Sequence, residues 1–549
     1  MKKYLILILV LGVWAVWALF GARFIPSHDG EYHIIRFANF FTMLSQGYWF
    51  PRWAPDLNSG YGVPLFNFHY PFPNYIGSLF HAFGTSFVDA VKLTLAAGYL
   101  AAAVASFCWL KRLVSPRAAV LGTIAGMFVP YWFVDLYVRG SVGEVWAIAF
   151  LFVVLGAIER KRPWAVGIGT ALLIISHNIL ALLFVPFLLL YMLLRWPRGI
   201  GAWALGILTA AYFWLPALAE RSFMQGLNST TYSDHFPELV QILFPSWGTG
   251  FSGPGFAPGE MSFQWGVMPL MAFVLALLVL RKQKDAFSHL VRGFAWLAVL
   301  IFFFMLPASR PVWESVPFIQ YLQYSWRLLS FVIPLTALFA AFVAERKRKI
   351  GLIVVIVGLI AVQGYTRPVT YEPRHDAHYL SRREFTDGTS SLGNSFTTIW
   401  APWKNERPQG KLEITEGSAS VVPETERPLE YRFHVAAEEQ SVVRLNVLYY
   451  PGWTATIDGQ KMPVLYGSAL ASESAGVIQL AVPAGDHDIQ VWFAETPLRQ
   501  WANIMSFLGL FCLSGWAILK RRHEHRTGYN TSAKRTQRPR RGRLHKAAS

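Results

Sequence analysis

Residues 23–33 read Arg23-Phe24-Ile25-Pro26-Ser27-His28-Asp29-Gly30-Glu31-Tyr32-His33, and the fold follows from what stands on either side of them. Before them, an apolar run starts after Met1-Lys2-Lys3 and ends near Ala22. It is long enough to enter a bilayer, and no Ala-x-Ala site follows, so a retained first helix is favoured over a cleaved signal sequence. After them, Ile34, Phe37, Phe41 and Leu44 recur at helical spacing, with Arg36 and Asn39 off that stripe. This pattern predicts an amphipathic helix lying on a membrane surface. Residues 48–75 then carry Pro51, Pro55, Pro64, Pro71 and Pro73, which excludes a continuous helix there.

The whole composition agrees with a membrane setting. Of 549 residues, 54% are hydrophobic and only 15% charged, whereas a soluble domain carries about 25% charged residues. The apolar excess falls in blocks of about 20 residues, the length that crosses a bilayer core. A soluble enzyme, a fibrous protein and a disordered chain are thereby excluded. Beyond the first, spans are predicted near 86–110, 117–134, 145–158, 164–176, 179–194, 200–216, 266–280, 293–306, 327–343, 350–365 and 498–519, about twelve in all.

Charge tests this alternation. One set of links holds Lys111, Arg112 and Arg117; Arg160, Lys161 and Arg162; Arg195 and Arg198; Arg281, Lys282, Lys284 and Arg292; and Arg346, Lys347, Arg348 and Lys349. The alternate short links hold only Arg139, Arg221 and Arg310. The positive-inside rule then puts both termini in the cytoplasm and the long loops outside a cytoplasmic membrane. Net charge is +17, and the segment 520–549 contributes eleven Lys/Arg against the single acid Glu524. Such a tail after a last span favours anionic lipid and topology anchoring over nucleic acid, and its composition predicts disorder. Cys108 and Cys512 lie in apolar segments, so neither a structural disulfide nor thiol catalysis is expected.

The expected organisation is a helical membrane domain over 1–366, with its first outer loop at 23–85. A soluble insert at 367–497, a final helix at 498–519 and the basic tail follow. The insert alternates as strands do at 431–435, 442–449, 453–457, 477–482 and 489–493. Asp458-Gly459 signals a type I′ hairpin, and Pro483-Ala484-Gly485-Asp486 a second tight turn. Short alternating strands and turns predict a β-sandwich.

Charged residues are nearly absent from the span centres, which counts against a coupled transporter. The outer segments instead collect Asp29, Glu31, Asp135, Glu144 and Glu220. An acid beside a lipid surface suits a general base taking a proton from an acceptor hydroxyl while a lipid-linked phosphate departs; its plain alternative is a helix cap. Cations for that phosphate would come from Arg139 and Arg327, each otherwise an interfacial anchor. Glu144 opens a span, where a carboxylate also suits a helix N-terminus. His28, Glu31, His177, Asn178 and Glu220 are further candidates for holding substrate, with ordinary capping or local ion pairing as the alternative. Trp49, Trp53, Tyr61 and Tyr70 offer aromatic faces for a sugar. Neither His375-Asp376 with His378 nor Asp486-His487-Asp488 supplies a ligand set with metal spacing, and no nucleotide or phosphate-loop fingerprint is present.

One apolar helix, an outer acid and a surface helix in a long first loop resemble the GT-C superfamily of membrane glycosyltransferases. Closer still, Pro26-Ser27-His28-Asp29-Gly30, Pro51-Arg52-Trp53, Gly60-Tyr61-Gly62 and Pro64-Leu65-Phe66 resemble the bacterial YfhO-like membrane proteins and the pyruvoyl-tetrahydropterin synthase-related membrane proteins. So do the Arg139 to Glu144 loop, His177-Asn178, Leu215-Pro216 to Glu220, Gln323 to Arg327, and Tyr449-Tyr450-Pro451-Gly452-Trp453. The resemblance covers most of 1–519. It implies a GT-C-like bundle of about twelve helices and inverting sugar transfer from a polyprenyl-phosphate donor to an envelope glycan or glycolipid. It implies Asp29 as base and Glu144 as the second outer acid. No cofactor is required by that chemistry, and divalent-metal dependence is left open. The competing expectations are a non-catalytic glycan-assembly scaffold and a lipid or polysaccharide transporter.

Overall fold

The computed structural model describes residues 1–536 except 228–231, 254–258, 317, 403, 405 and 467–474, with side chains to Leu519. Among the described residues, seven helices are long and apolar enough to cross a membrane: Phe87–Leu110, Val142–Glu159, Asn178–Arg195, Ala286–Met305, Ser325–Arg346, Arg348–Tyr365 and Pro497–Leu519. Two bent pairs raise the number to nine: Pro116–Met127 with Pro130–Arg139, and Pro197–Thr209 with Ala211–Ala219. The other three expected spans coincide with Lys2–Ala15, Pro163–Ile174 and Val267–Leu280, of 14, 12 and 14 residues. These fall short of the ~20 residues a full crossing takes, so the expected count of twelve is not met by length.

Packing follows residue size. The span Ser325–Arg346 is buried along most of its length, whereas Pro497–Leu519 mostly faces outward. Beside the former, a Cβ on Gly122 would lie 2.4 Å from the Ala337 carbonyl oxygen and one on Gly126 2.8 Å from Ala337 Cβ. Small residues let these two helices approach closely, as apolar helices in lipid require.

The amphipathic stretch forms the helix Gly30–Ser45, with Ile34, Phe37 and Phe40 buried. The proline-rich stretch after it is irregular up to a helix at Phe72–Ala82, which starts where Pro73 can sit in a first turn.

The insert is a two-sheet antiparallel sandwich. Its strands are β1 Leu412–Glu416, β2 Ala419–Arg427, β3 Glu430–Ala437, β4 Ser441–Leu448, β5 Trp453–Ile457, β6 Gln460–Met462, β7 Leu465–Tyr466, β8 Val477–Val482 and β9 Gly485–Phe493. The sheets run β1-β4-β8-β7 and β2-β3-β9-β5-β6. All five expected strands are present, and Asp458-Gly459, with φ of 51° and 79°, turns β5 into β6. The Pro483-Ala484 turn passes the chain from one sheet to the other rather than closing a hairpin. Pro423 disrupts pairing only at a bulge in the edge strand β2, where a missing N–H is tolerated.

Two boundaries differ from expectation. Sheet structure begins at Leu412, not 367. Residues before it form a strap with short helices Asp376–Leu380 and Arg383–Thr386 laid against the first outer loop. The final helix runs Pro497–Thr536, past the expected end at 519; 537–549 lies outside the described residues. Extending an existing helix avoids the nucleation cost, and Lys, Arg and Glu are good helix formers.

Candidate functional site

The Pro130–Arg139 segment ends in a π-helical turn over Val134–Arg139, a local geometry often found at functional positions. This turn and the start of Val142–Glu159 bring Asp135, Arg139 and Glu144 together, all buried. Arg139 Nη1 donates to Asp135 Oδ1 at 2.7 Å and to the Tyr131 hydroxyl at 3.2 Å, and lies 2.8 Å from Glu144 Oε1. Tyr131 in turn donates to Glu144 Oε2 at 2.8 Å. Arg327, from the start of the buried span, puts Nε 3.2 Å from the same Glu144 Oε1. Two carboxylates and two guanidiniums thus compensate each other, as buried charges must.

His177 completes the set. It is the N-cap of Asn178–Arg195, and its Nδ1 accepts from the Leu180 amide at 3.1 Å. That bond assigns the proton to Nε2, which lies 3.8 Å from Glu144 Oε1. The tyrosine and tryptophan of Gln323-Tyr324-Ser325-Trp326 stack in parallel 4.8 Å apart. Arg327 lies 4.8 Å from the Tyr324 ring and Arg139 4.9 Å from the Trp326 ring, a distance at which a cation is held by an aromatic face. Gln323 has φ of 63°, an uncommon angle for that residue, and its side chain accepts from Arg327 at 2.8 Å. Neither Arg139 nor Arg327 uses Nη2 in a hydrogen bond among the described residues.

The first outer loop docks on this turn through backbone. His28 N–H donates to Val138 O at 3.0 Å and Asp29 N–H to Arg139 O at 2.8 Å. Only glycine suits position 140: φ is +64°, and a Cβ would sit 2.4 Å from Ser27 Oγ and 3.0 Å from Gly30 N. Asp29 holds the N-cap position of Gly30–Ser45, yet its side chain makes no capping bond. The partly exposed Asp29 carboxylate has no hydrogen bond or ion pair among the described residues. It is held beside the cluster with its acceptor capacity unused.

Tyr70 joins the two halves. Its ring lies 4.0 Å from that of His69 and 5.0 Å from that of His177. Burial pushes its hydroxyl pKa up; Arg36 opposes this, while Asp29 and Glu144 add to it. A Cβ on Gly143, next to Glu144, would strike the Tyr70 ring at 2.5 Å. Arg36 reaches His69 Nε2 at 2.9 Å and ties both to the strap through Ser390 Oγ at 3.0 Å and the Ser390 carbonyl. Burial holds His33 and His69 well below the usual histidine pKa, and the neighbouring Arg36 adds to the effect. His28 turns to the fourth outer loop, its Nε2 2.7 Å from Thr249 O and its ring against Phe251.

Five expected site residues are engaged elsewhere. Glu31 pairs with Arg374 of the strap and accepts from Tyr379 at 3.3 Å. Asn178 donates to the Phe68 carbonyl at 2.8 Å, so its amide anchors the loop rather than a ligand. Glu220 is filled by protein donors: Asn67 at 2.7 Å, Tyr450 at 2.8 Å and Arg499 at 2.9 Å. Its ion-pair partner is therefore Arg499 and not the adjacent Arg221. Trp53 is 1% exposed and wedged edge-on against Trp453, and Tyr61 is 8% exposed beneath Lys404, so neither presents a free face to a sugar. Trp49 is 69% exposed but stands apart from the cluster's ring contacts. Sequence reasoning did not single out Tyr131, His33, His69 or Arg499 for a role. The one available signal was Arg499, a charge just inside an apolar helix.

Among the described residues, no group of three or more His, Cys, Asp or Glu side chains is arranged to hold a metal ion. Residues 66–367 match the family described as 6-pyruvoyl-tetrahydropterin synthase related domain; membrane protein. A Lactococcus lactis subsp. cremoris protein, described as an uncharacterized protein, is 22% identical over 330 residues, covering 54% of this chain and 53% of that one. The chain thus spans about half the length of this curated relative. Among solved structures, the apo oligosaccharyltransferase of Archaeoglobus fulgidus aligns at a TM-score of 0.44 and 13% identity, over 74% of this chain and 61% of that one. The arabinofuranosyltransferase AftD from Mycobacteria aligns at 0.43 and 15%, over 69% and 29%. With the family match covering more than half of its length, the chain belongs to the 6-pyruvoyl-tetrahydropterin synthase-related membrane proteins.

Proposed function

We propose that this membrane protein is an inverting GT-C-type glycosyltransferase that moves a sugar from a polyprenyl-phosphate donor to an envelope glycan or glycolipid. The observation that carries the reading is the Asp29 carboxylate, unengaged among the described residues and held by its backbone N–H on the Arg139 carbonyl, within electrostatic reach of the Arg139 guanidinium. Asp29 takes the proton of an acceptor hydroxyl as that oxygen attacks the anomeric carbon. The bond from that carbon to the phosphate oxygen breaks, and the polyprenyl phosphate leaves with the electron pair. Nη2 of Arg139 and of Arg327 are available to meet its charge, which grows in the transition state. Glu144 holds both arginines in place, which makes it a positioning residue on this geometry. Tyr70, its ring 5.0 Å from that of His177, stands within electrostatic reach of both Asp29 and Arg139. The Lys/Arg bias of alternate links supports a site on the outer face.

The test is single-turnover transfer in proteoliposomes, with a panel of labelled polyprenyl-phosphate sugars and extracted envelope glycolipid, with and without EDTA. Wild type transfers from one donor, and Asp29→Asn, folded to the same extent, loses transfer by about 10²–10⁴-fold, the range of a general base. Equal transfer by both proteins would move the chemistry away from Asp29. No transfer from any donor, while a lipid-dependent transferase works in the same vesicles, would favour an assembly scaffold or a transporter.

A further inference from the structure

At the end of the bundle opposite the acid–arginine cluster, a cavity of about 920 Å³ opens between the first helix, Phe87–Leu110, Val142–Glu159, Pro163–Ile174 and the final helix. We infer that this groove binds an anionic diacyl phospholipid, with its phosphate at Arg112 and Arg160 and one chain along the wall. Four observations support that occupant over a polar metabolite or another protein.

The wall is apolar and recessed because its residues are small: Ala101, Ala105, Gly156 and Ala157 line it beside Leu100 and Phe152. Leu9, Val153 and Trp164 also line it and are 39%, 37% and 45% exposed, so the recess opens sideways, where lipid stands, rather than enclosing a ligand. Its length fits one leaflet. From Leu100 to Leu110 the helix rises about 15 Å, half of a hydrocarbon core about 30 Å thick.

Charge is confined to one mouth. Arg112 follows the end of one lining helix, and Arg160 and Arg162 follow the end of another. Arg112 makes no side-chain hydrogen bond or ion pair among the described residues, and the Arg160 side chain makes one hydrogen bond, to the Cys108 carbonyl at 3.3 Å. Among the described residues, no carboxylate lines the groove. Trp164 and Trp516 flank it, the residue type that sits at the headgroup level. Guanidiniums from two links converging above an apolar trough suit a phosphate diester on an acyl tail. The arginine mouth at Arg160 lies about 24 Å from Glu144 along Val142–Glu159, so it is independent of the transfer reading.

The experiment is native mass spectrometry of the full chain, exchanged in detergent against equal amounts of phosphatidylglycerol and phosphatidylcholine with matched chains. Wild type retains one phosphatidylglycerol in preference to phosphatidylcholine. Arg112→Gln and Arg160→Gln each lower that preference about fivefold, the effect of one juxtamembrane cation. Arg198→Gln, an exposed arginine on another link outside the groove, leaves it unchanged. Ala105→Trp, which fills the trough, removes the retained lipid. Equal retention of the two lipids by wild type would overturn the inference. So would an Arg198→Gln effect as large as that of Arg112→Gln, which would mark diffuse surface charge, or an Ala105→Trp variant that keeps its lipid.

Discussion

Glu220→Ala removes the acceptor that joins four distant segments. Glu220 is 4% exposed and Arg499 is fully buried, and Arg499 donates to it through Nε at 3.0 Å and Nη2 at 2.9 Å. Tyr450 of the sandwich and Asn67 of the first loop donate to the same carboxylate. Truncation leaves a buried guanidinium without its counter-ion, a loss of roughly 3–5 kcal/mol. Hydrogen exchange reads this locally at two amides. Leu448 N–H donates to the Tyr61 carbonyl across the boundary between sandwich and bundle, and Ala494 N–H donates to Gly452 O at the sandwich base. Both should exchange roughly 150- to 4,000-fold faster in Glu220→Ala, while amides of the buried span Ser325–Arg346 keep their rates. Combining Glu220→Ala with Arg499→Met should recover much of the loss, since a pair removed together leaves no orphan charge. A change below tenfold at Leu448 and Ala494, or equal acceleration in the buried span, would refute the view that Glu220 holds the two domains together.

Trp53→Ala should lower stability by roughly 3–5 kcal/mol, read by thermal unfolding in detergent, because the ring packs against Trp453 and Phe493 in the domain boundary. Gly143→Ala should cut turnover per folded molecule and lower stability by about 1–3 kcal/mol, because its Cβ would meet the Tyr70 ring at 2.5 Å and the Ser176 carbonyl at 2.7 Å; unchanged turnover of the folded fraction would remove Tyr70 from the site. The pH dependence has a fixed sign. Burial depresses His33 and His69 in the folded state, so the unfolded chain binds more protons below the ordinary value of 6.5. Their contribution is complete above pH 6.5 and declines as pH falls, by at most ~1.4 kcal/mol per pH unit for each; His33→Phe should flatten the slope of denaturant stability between pH 6.5 and 5.

What the sequence made legible was periodic or local. The spacing of Ile34, Phe37 and Phe41 marks the helix Gly30–Ser45, although Arg36 and Asn39, expected on its polar side, are buried; the Asp458-Gly459 dipeptide marks its hairpin, and alternation in 431–435 marks β3. The cluster partners Arg139, Glu144, His177 and Arg327 were accessible as polar residues at the ends of apolar segments. That they share one carboxylate was not, because it depends on a π turn and on a contact between residues 144 and 327. Glu220 illustrates the converse. It stands next to Arg221, and nothing in its neighbourhood points to a partner 279 residues away. Trp53 and Tyr61 lie in a turn-rich aromatic stretch, but the residues that cover them, Trp453 and Lys404, are specified 400 and 343 residues later. Helix lengths were misread where a span is bent, since a hydrophobic run does not record the 49° break between Met127 and Pro130.

The strap before the sandwich bears on the order in which the molecule is made. Arg36 and Glu31, on the helix that Asp29 begins, have their partners at Ser390 and Arg374, separated by 354 and 343 residues. At ~5–20 residues per second, a ribosome needs roughly 20–70 s to reach the strap after making that helix. Until then Arg36 has His69 of the first loop as a partner but not Ser390, and Glu31 lacks Arg374, so the helix is not yet clamped by the strap. A chain truncated before the strap would therefore hold the Arg139, Glu144, His177 and Arg327 cluster without the contacts that clamp the helix after Asp29.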